Sequence, residues 1–198
     1  MEVISTINYD QHQIIKDILT LHCPQGIELD PTYSKGVFYS KSGIEQPKHK
    51  SDLFPQAEDV VESDASQLKF ENDSISSIMF DPPFIAGHTK DKPTGIIGER
   101  FYGFRYIPDL WAWYDKCITE FHRVLKKDGI LIFKCQDTVS SGKQWFSHVH
   151  IINEAEKAGF VCKDMFILLA KSRMIGHNHA NQKHARKFHS YFLVFKKT

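Results

Sequence analysis

Asp81, Pro82, Pro83 and Phe84 stand directly behind the run SISSIMF, so an acid, two prolines and an aromatic ring share one short stretch. Ile75, Ile78, Met79 and Phe80 make the apolar, partly β-branched pattern of a buried parallel strand. Proline cannot donate to a strand ladder, so the strand must end at Asp81. Each proline also fixes its own φ and restricts the residue before it. A carboxylate, a carbonyl held at a set angle and a flat ring therefore meet at the carboxyl end of a strand, the edge where open α/β sheets bind ligands. The competing reading is an Asp-Pro-Pro turn without a function, and the surrounding elements decide between the two.

Those elements alternate. Asp10 caps a predicted helix over 10–22, with Ile14, Ile15, Ile18 and Leu19 at helical spacing and Pro24 and Gly26 behind it. GIELD (26–30) is a short strand, and weaker strands are expected near 48–52 and 59–63. Residues 85–106 show neither helical nor strand periodicity and are expected to form a long loop. A helix follows with Pro108 in its first turn and Leu110, Tyr114, Cys117 or Ile118, Phe121 and Leu125 on one face; Lys126 and Lys127 are expected at its end. GILIFKC is the next strand, a helix is expected over about 144–158, and FVCKDMFILLA and SYFLVF are the last strands. No helix pattern joins those two strands, so they are expected to pair antiparallel. The whole predicts a parallel sheet covered by helices, with an antiparallel final strand.

Composition narrows the class. The length of 198 residues fits a single domain, 1–198, and the net charge of +1 names no partner. Charge distribution does more: after Asp164 there is no acid, while Lys171, Arg173, Lys183, Arg186 and Lys187 follow. Cys23, Cys117, Cys135 and Cys162 form no CxxC pair, as expected of reduced thiols in a cytoplasmic protein. No apolar run is long enough to span a bilayer and no signal peptide is present.

With these motifs in order, the chain resembles the S-adenosylmethionine-dependent amino-methyltransferases of nucleic acids, marked by D/N/S-P-P-Y/F/W. DPTYSKG matches the family's first-strand cofactor loop through Asp30, Pro31 and Gly36, although Ser34 stands where the first glycine belongs; Thr32 and Tyr33 complete the stretch. Asp52 in KSDL matches the acid that binds the cofactor ribose, and Asp64 and Ala65 in SDASQLKF the position that contacts adenine. DPPF is the catalytic signature, and HRVLKKDGILIFKCQD is similar to the family's helix-to-strand passage. The resemblance implies a Rossmann-like class I methyltransferase fold: a mostly parallel seven-stranded sheet with an antiparallel last strand, helices on both faces and a compact cofactor half with a short or distorted first helix. The motif order is of the gamma type, with no room for a separate target-recognition domain, as in small orphan enzymes of phages and prophages.

The implied chemistry is methylation of an exocyclic amine, N6 of adenine in DNA first, with cytosine N4 and RNA bases as alternatives. Such an amine is a weak nucleophile because its lone pair is delocalised into the ring. Asp81 and the Pro82 carbonyl would accept its hydrogens and localise that pair, while Phe84 would stack the base. Phe84 could equally be a core aromatic, and Asp30 could simply cap its turn. Arg173, Lys183, Arg186 and Lys187 are candidate phosphate contacts at the active edge, or a solvated basic loop. His177, His179, His184 and His189 lack carboxylate or cysteine partners nearby and the mechanism needs no metal, so no metal role is expected. Phe101, Tyr102, Phe104 and Tyr106, interleaved with Arg100 and Arg105, resemble a base-binding surface or core cover; Trp111 and Trp113 are read as packing residues. The rival class is a nucleic-acid-binding protein that kept the fold and lost its cofactor. A dinucleotide-dependent oxidoreductase is disfavoured, since PTYSKG does not supply GxGxxG.

Overall fold

The computed structural model describes residues 3–40, 42–86, 104–170 and 183–198. Its strands are β1 (Ile7–Asn8), β2 (Leu29–Asp30), β3 (His49–Asp52), β4 (Val61–Glu62), β5 (Ile75–Phe80), β6 (Leu125–Cys135), β7 (Thr138–Ser140), β8 (Lys143–Trp145), β9 (Phe160–Leu169) and β10 (His189–Lys197). The helices among the described residues are α1 (Gln11–His22), α2 (Ile107–Val124) and α3 (Ser147–Lys157).

Eight strands form one sheet in the order β1-β9-β10-β6-β5-β2-β3-β4. Only β10 runs antiparallel, wedged between β6 and β9. The mostly parallel Rossmann-like sheet with an antiparallel last strand expected from the sequence is therefore present, with eight strands in place of seven because β1 adds a two-residue edge strand parallel to β9.

Side chains alternate across this sheet, as the period of two requires. Leu131, Phe133 and Cys135 of β6 and Leu193 and Phe195 of β10 face one core, closed by α2 and α3. Ile130 and Ile132 of β6 and Phe192 and Val194 of β10 face the other, closed by Ile14, Ile15 and Ile18 of α1. The helices thus lie on both faces. Asp10 caps α1 by accepting from the His12 N–H at 2.8 Å.

Three local expectations are corrected. Lys126 and Lys127 do not end α2; the chain enters β6 at Leu125, and Asp128 at φ +64° turns the strand where its register against β5 shifts. The next helix starts at Ser147, because 138–145 forms the β7–β8 hairpin. Ser141 and Gly142 both take positive φ at its tip, the pairing that two-residue hairpin turns demand. Between β2 and β3, the described residues form turns in place of a short first helix.

Candidate active site

Because β2, β3, β4, β5 and β6 run parallel, their carboxyl ends open on one edge. A cavity of about 680 Å³ lies there, lined by the turn after β2 (Pro31, Thr32, Tyr33, Ser34), the ends of β3 and β4 (Asp52, Asp64, Ala65) and the whole of DPPF. Residues from four separate stretches of sequence thus share one space.

Asp30 and Gly36 do not line it. Asp30 is 1% exposed and supports the wall from beneath. Its Oδ1 accepts from the Thr32 N–H (2.9 Å) and hydroxyl (3.2 Å), and its Oδ2 from the Tyr39 hydroxyl (2.8 Å). The Thr32 hydroxyl oxygen in turn accepts from the Asp81 N–H at 2.8 Å, so the turn after β2 is tied to the end of β5. Burial pushes the Asp30 carboxyl up from 3.8 to about 7, against the hydrogen bonds from Tyr39 and Thr32. Between those values the unfolded chain has released this proton while the folded chain still holds it. Stability from this group is therefore full below about pH 4, falls across the window and is lost above about pH 7. Asp30→Asn, which stays neutral, is expected to flatten the fall of Tm between pH 4 and 7, as thermal unfolding followed across that range would register.

Ser34 occupies the position of the family glycine and keeps a left-handed backbone, φ +50°. That conformation strains a residue with a Cβ. Its N–H donates to Asp52 Oδ2 at 2.9 Å, and the Phe54 N–H donates to Oδ1 at 2.8 Å, so Asp52 pins the turn from the neighbouring strand. Burial raises the Asp52 carboxyl above its ordinary value, with those two N–H bonds opposing the rise. Gly36 at φ +64° is packed against the Tyr33 ring, which a Cβ there would strike.

Asp64 Oδ1 accepts from the Ser66 N–H and hydroxyl, both at 2.8 Å, and from the Trp113 Nε1–H at 3.2 Å. Burial alone would raise this carboxyl, but the Ser66 and Trp113 hydrogen bonds outweigh it and hold it low. Trp113, read from sequence as packing, is a cavity wall as well.

DPPF is anchored from two sides. The Tyr114 hydroxyl, fully buried on α2, donates to the Pro83 carbonyl. Lys134 on β6 donates to Asp81 Oδ2 at 3.2 Å. Phe84 is half-buried and lines the cavity, as does Phe104. Tyr114→Phe removes the donor from a part-buried carbonyl and is expected to cost about 0.5–1.5 kcal/mol in urea unfolding.

Lys183, Arg186 and Lys187 precede β10 on the same edge but outside the cavity lining. His184 Nε2 lies 3.0 Å from the Gly142 carbonyl of the β7–β8 turn. Arg173 lies outside the described residues, as do Arg100, Phe101, Tyr102, His177 and His179. Among the described residues, no cluster of His, Cys, Asp and Glu could hold a metal ion, and no helix is long and apolar enough to cross a membrane.

Among curated proteins none matches the sequence significantly. Among solved structures, the [4+2]-cyclase SpnF aligns at TM-score 0.55 and 13% identity, over 94% of this chain and 81% of its own. TrmN from Thermus thermophilus aligns at 0.53 and 13%, over 94% and 49%. These likenesses show the fold, and the cyclase illustrates that this fold serves more than one reaction. A second Thermus thermophilus protein, provisionally assigned as a DNA modification methylase and solved with S-adenosyl-L-methionine, aligns at 0.48 and 20%, over 68% of this chain and 53% of its own. The chain thus spans about half the length of that relative. The family model N6_N4_Mtase, DNA methylase, matches residues 75–198, a stretch that begins at β5 and takes in DPPF, α2 and every later strand. This chain belongs to the N6/N4 DNA methylase family, whose cofactor is S-adenosylmethionine.

Proposed function

We propose that this chain transfers a methyl group from S-adenosylmethionine to an exocyclic amine of a nucleic-acid base, with N6 of adenine in DNA as the target. The observation that carries the reading is the convergence of DPPF, Asp52 and Asp64 on one cavity with the turn after β2.

The residues present fit the cofactor. Asp52 and Asp64 offer carboxylate acceptors suited to hydroxyl and amine hydrogens. Leu53 and Phe54, unusually exposed at 46% and 50%, offer apolar surface beside Asp52 for a flat ring. Pro31, Thr32, Tyr33 and Ser34 would hold the amino-acid end, with Ser34 replacing the customary glycine without abolishing its backbone conformation. Asp30 would act from beneath by fixing Thr32, and Ala65 would wall the adenine position. The bound cofactor supplies an electrophilic methyl carbon on a sulfonium.

The chain's own work is positioning and electrostatics. Asp81 and the Pro82 carbonyl accept the two amine hydrogens, which draws the nitrogen toward tetrahedral geometry and frees its lone pair. That pair would take the methyl carbon, with a neutral thioether departing, and the surplus proton would pass from the nitrogen to solvent water. Phe84 stacks the base, which must be flipped out or single-stranded. Lys183, Arg186, Lys187 and Arg173 would hold phosphates at the rim. The four thiols fit work in a reducing cytoplasm, and the compact layout fits a phage or prophage enzyme.

The test is transfer of labelled methyl to double-stranded DNA, single-stranded DNA and RNA, followed by nucleoside digestion. Label on N6-methyladenine from DNA is the expected result. Label on N4-methylcytosine or on RNA would move the target, and no label, with nucleic-acid binding intact, would favour a binding protein on the same fold.

A further inference from the structure

Lys134 is out of place by composition. It sits inside the apolar run GILIFKC and is 9% exposed, with buried neighbours on both sides. Lysine is almost never buried unless its charge is paired. On β10 it faces Phe192, and on β5 the pairing of Phe80 with Phe133 carries the next position, Asp81, alongside it.

The pairing is specific. Lys134 Nζ lies 3.2 Å from Asp81 Oδ2, and over the rings of Phe38 (4.9 Å), Phe192 (5.6 Å) and Phe84 (5.9 Å). Aromatic faces stabilise an ammonium group without competing for its carboxylate. Asp30, Tyr39 and Tyr114 also feel the Asp81 charge, and each would oppose it when ionised. Among the described residues, Lys134 is the cation paired with Asp81. Asp81 Oδ1, by contrast, is closed off from solvent and accepts no hydrogen bond from any described residue. A buried acceptor left this way is unfavourable, so the carboxylate depends on its pairing with Lys134 for compensation.

We infer that Lys134 is a positioning residue for methyl transfer: it pins the Asp81 carboxylate, 26% exposed in the cavity wall, in place to accept a hydrogen of the target amine. The inference rests on the methyl-transfer reading above. Lys134 acts through Asp81, so its loss should matter only while Asp81 is present.

A double-mutant cycle with Lys134→Met and Asp81→Asn, read by single-turnover methyl transfer, calorimetric binding of S-adenosylmethionine and thermal unfolding, tests this. Lys134→Met should slow the methyl-transfer step about 100-fold with cofactor affinity within threefold, and Lys134→Arg should recover most of the loss. In the Asp81→Asn background, Lys134→Met should cost almost nothing further. The Tm lost in Lys134→Met, where a buried carboxylate lacks its partner, should return in the double variant. A full 100-fold loss in both backgrounds would overturn the inference, since Lys134 would then act on substrate or cofactor directly. A parallel loss of cofactor affinity would overturn it in the same way. Wild-type activity with Lys134→Met equally fast sinks this inference alone, whereas wild-type protein inactive on every polymer sinks the methyl-transfer reading and this inference with it.

Discussion

Asp81→Ala should reduce methyl transfer by at least about 10³-fold, equivalent to about 4 kcal/mol of transition-state stabilisation, while cofactor affinity stays within a few fold. The expectation follows from where the carboxylate sits. It lines the cavity at the end of β5, and its side chain makes no hydrogen bond to the turn after β2; that connection runs through its backbone N–H to the Thr32 hydroxyl. Alanine keeps the N–H and the turn, and removes the acceptor. Lys134 is then left as a buried cation over three phenylalanine rings, so some stability is lost too, and the measurement must be made below the variant's unfolding transition. Single-turnover transfer and isothermal binding of S-adenosylmethionine, performed on the same preparation, separate the two effects. Equal losses in both would mean that Asp81 serves the cofactor rather than the target amine.

Asp52→Ala should show the opposite pattern: cofactor affinity weakened about 100-fold, or about 2.7 kcal/mol, with the transfer step itself changed little once the cofactor is saturating. Two losses combine. The carboxylate proposed to take the ribose hydroxyls goes, and so does the acceptor that holds the Ser34 and Phe54 N–H groups. Ser34 carries a side chain at φ +50°, so its turn depends on that anchor more than a glycine turn would. Asp52→Asn, which retains one acceptor oxygen, should fall between. Calorimetric titration of S-adenosylmethionine into each variant gives the answer, and unchanged affinity in Asp52→Ala would remove Asp52 from the cofactor site.

The proposed roles divide the site as the sheet does, with β2 and β3 against the proposed cofactor half and β5 and β6 against the proposed target half. Tyr114 and Trp113, neighbours on α2, brace one element of each half, through the Pro83 carbonyl and Asp64. That shared support gives a physical reason for the two halves of the cavity to stay in register.

The sequence by itself determined the main elements and their order. Continuous apolar runs marked β5, β6 and β10, helical spacing marked α1 and α2, and two prolines stopped β5 at Asp81, all through local sterics and periodicity. The family followed from the order of DPTYSKG, Asp52, Asp64 and DPPF. The β7–β8 hairpin was not read from the sequence, which pointed to a helix from about 144, because its strands are only three residues each and carry little pattern. Tertiary structure alone decided who touches whom. Asp30 went beneath the cavity because the Thr32 and Tyr39 donors draw its carboxylate inward. Ser34 kept a glycine's backbone because Asp52, on another strand, holds its N–H. Lys134 met Asp81, and Trp113 met Asp64, across about fifty residues of chain. Spacing along the chain reports which face a side chain takes. Strand register and helix docking report which partner it finds there, and these arise only when the two cores on either side of the sheet close.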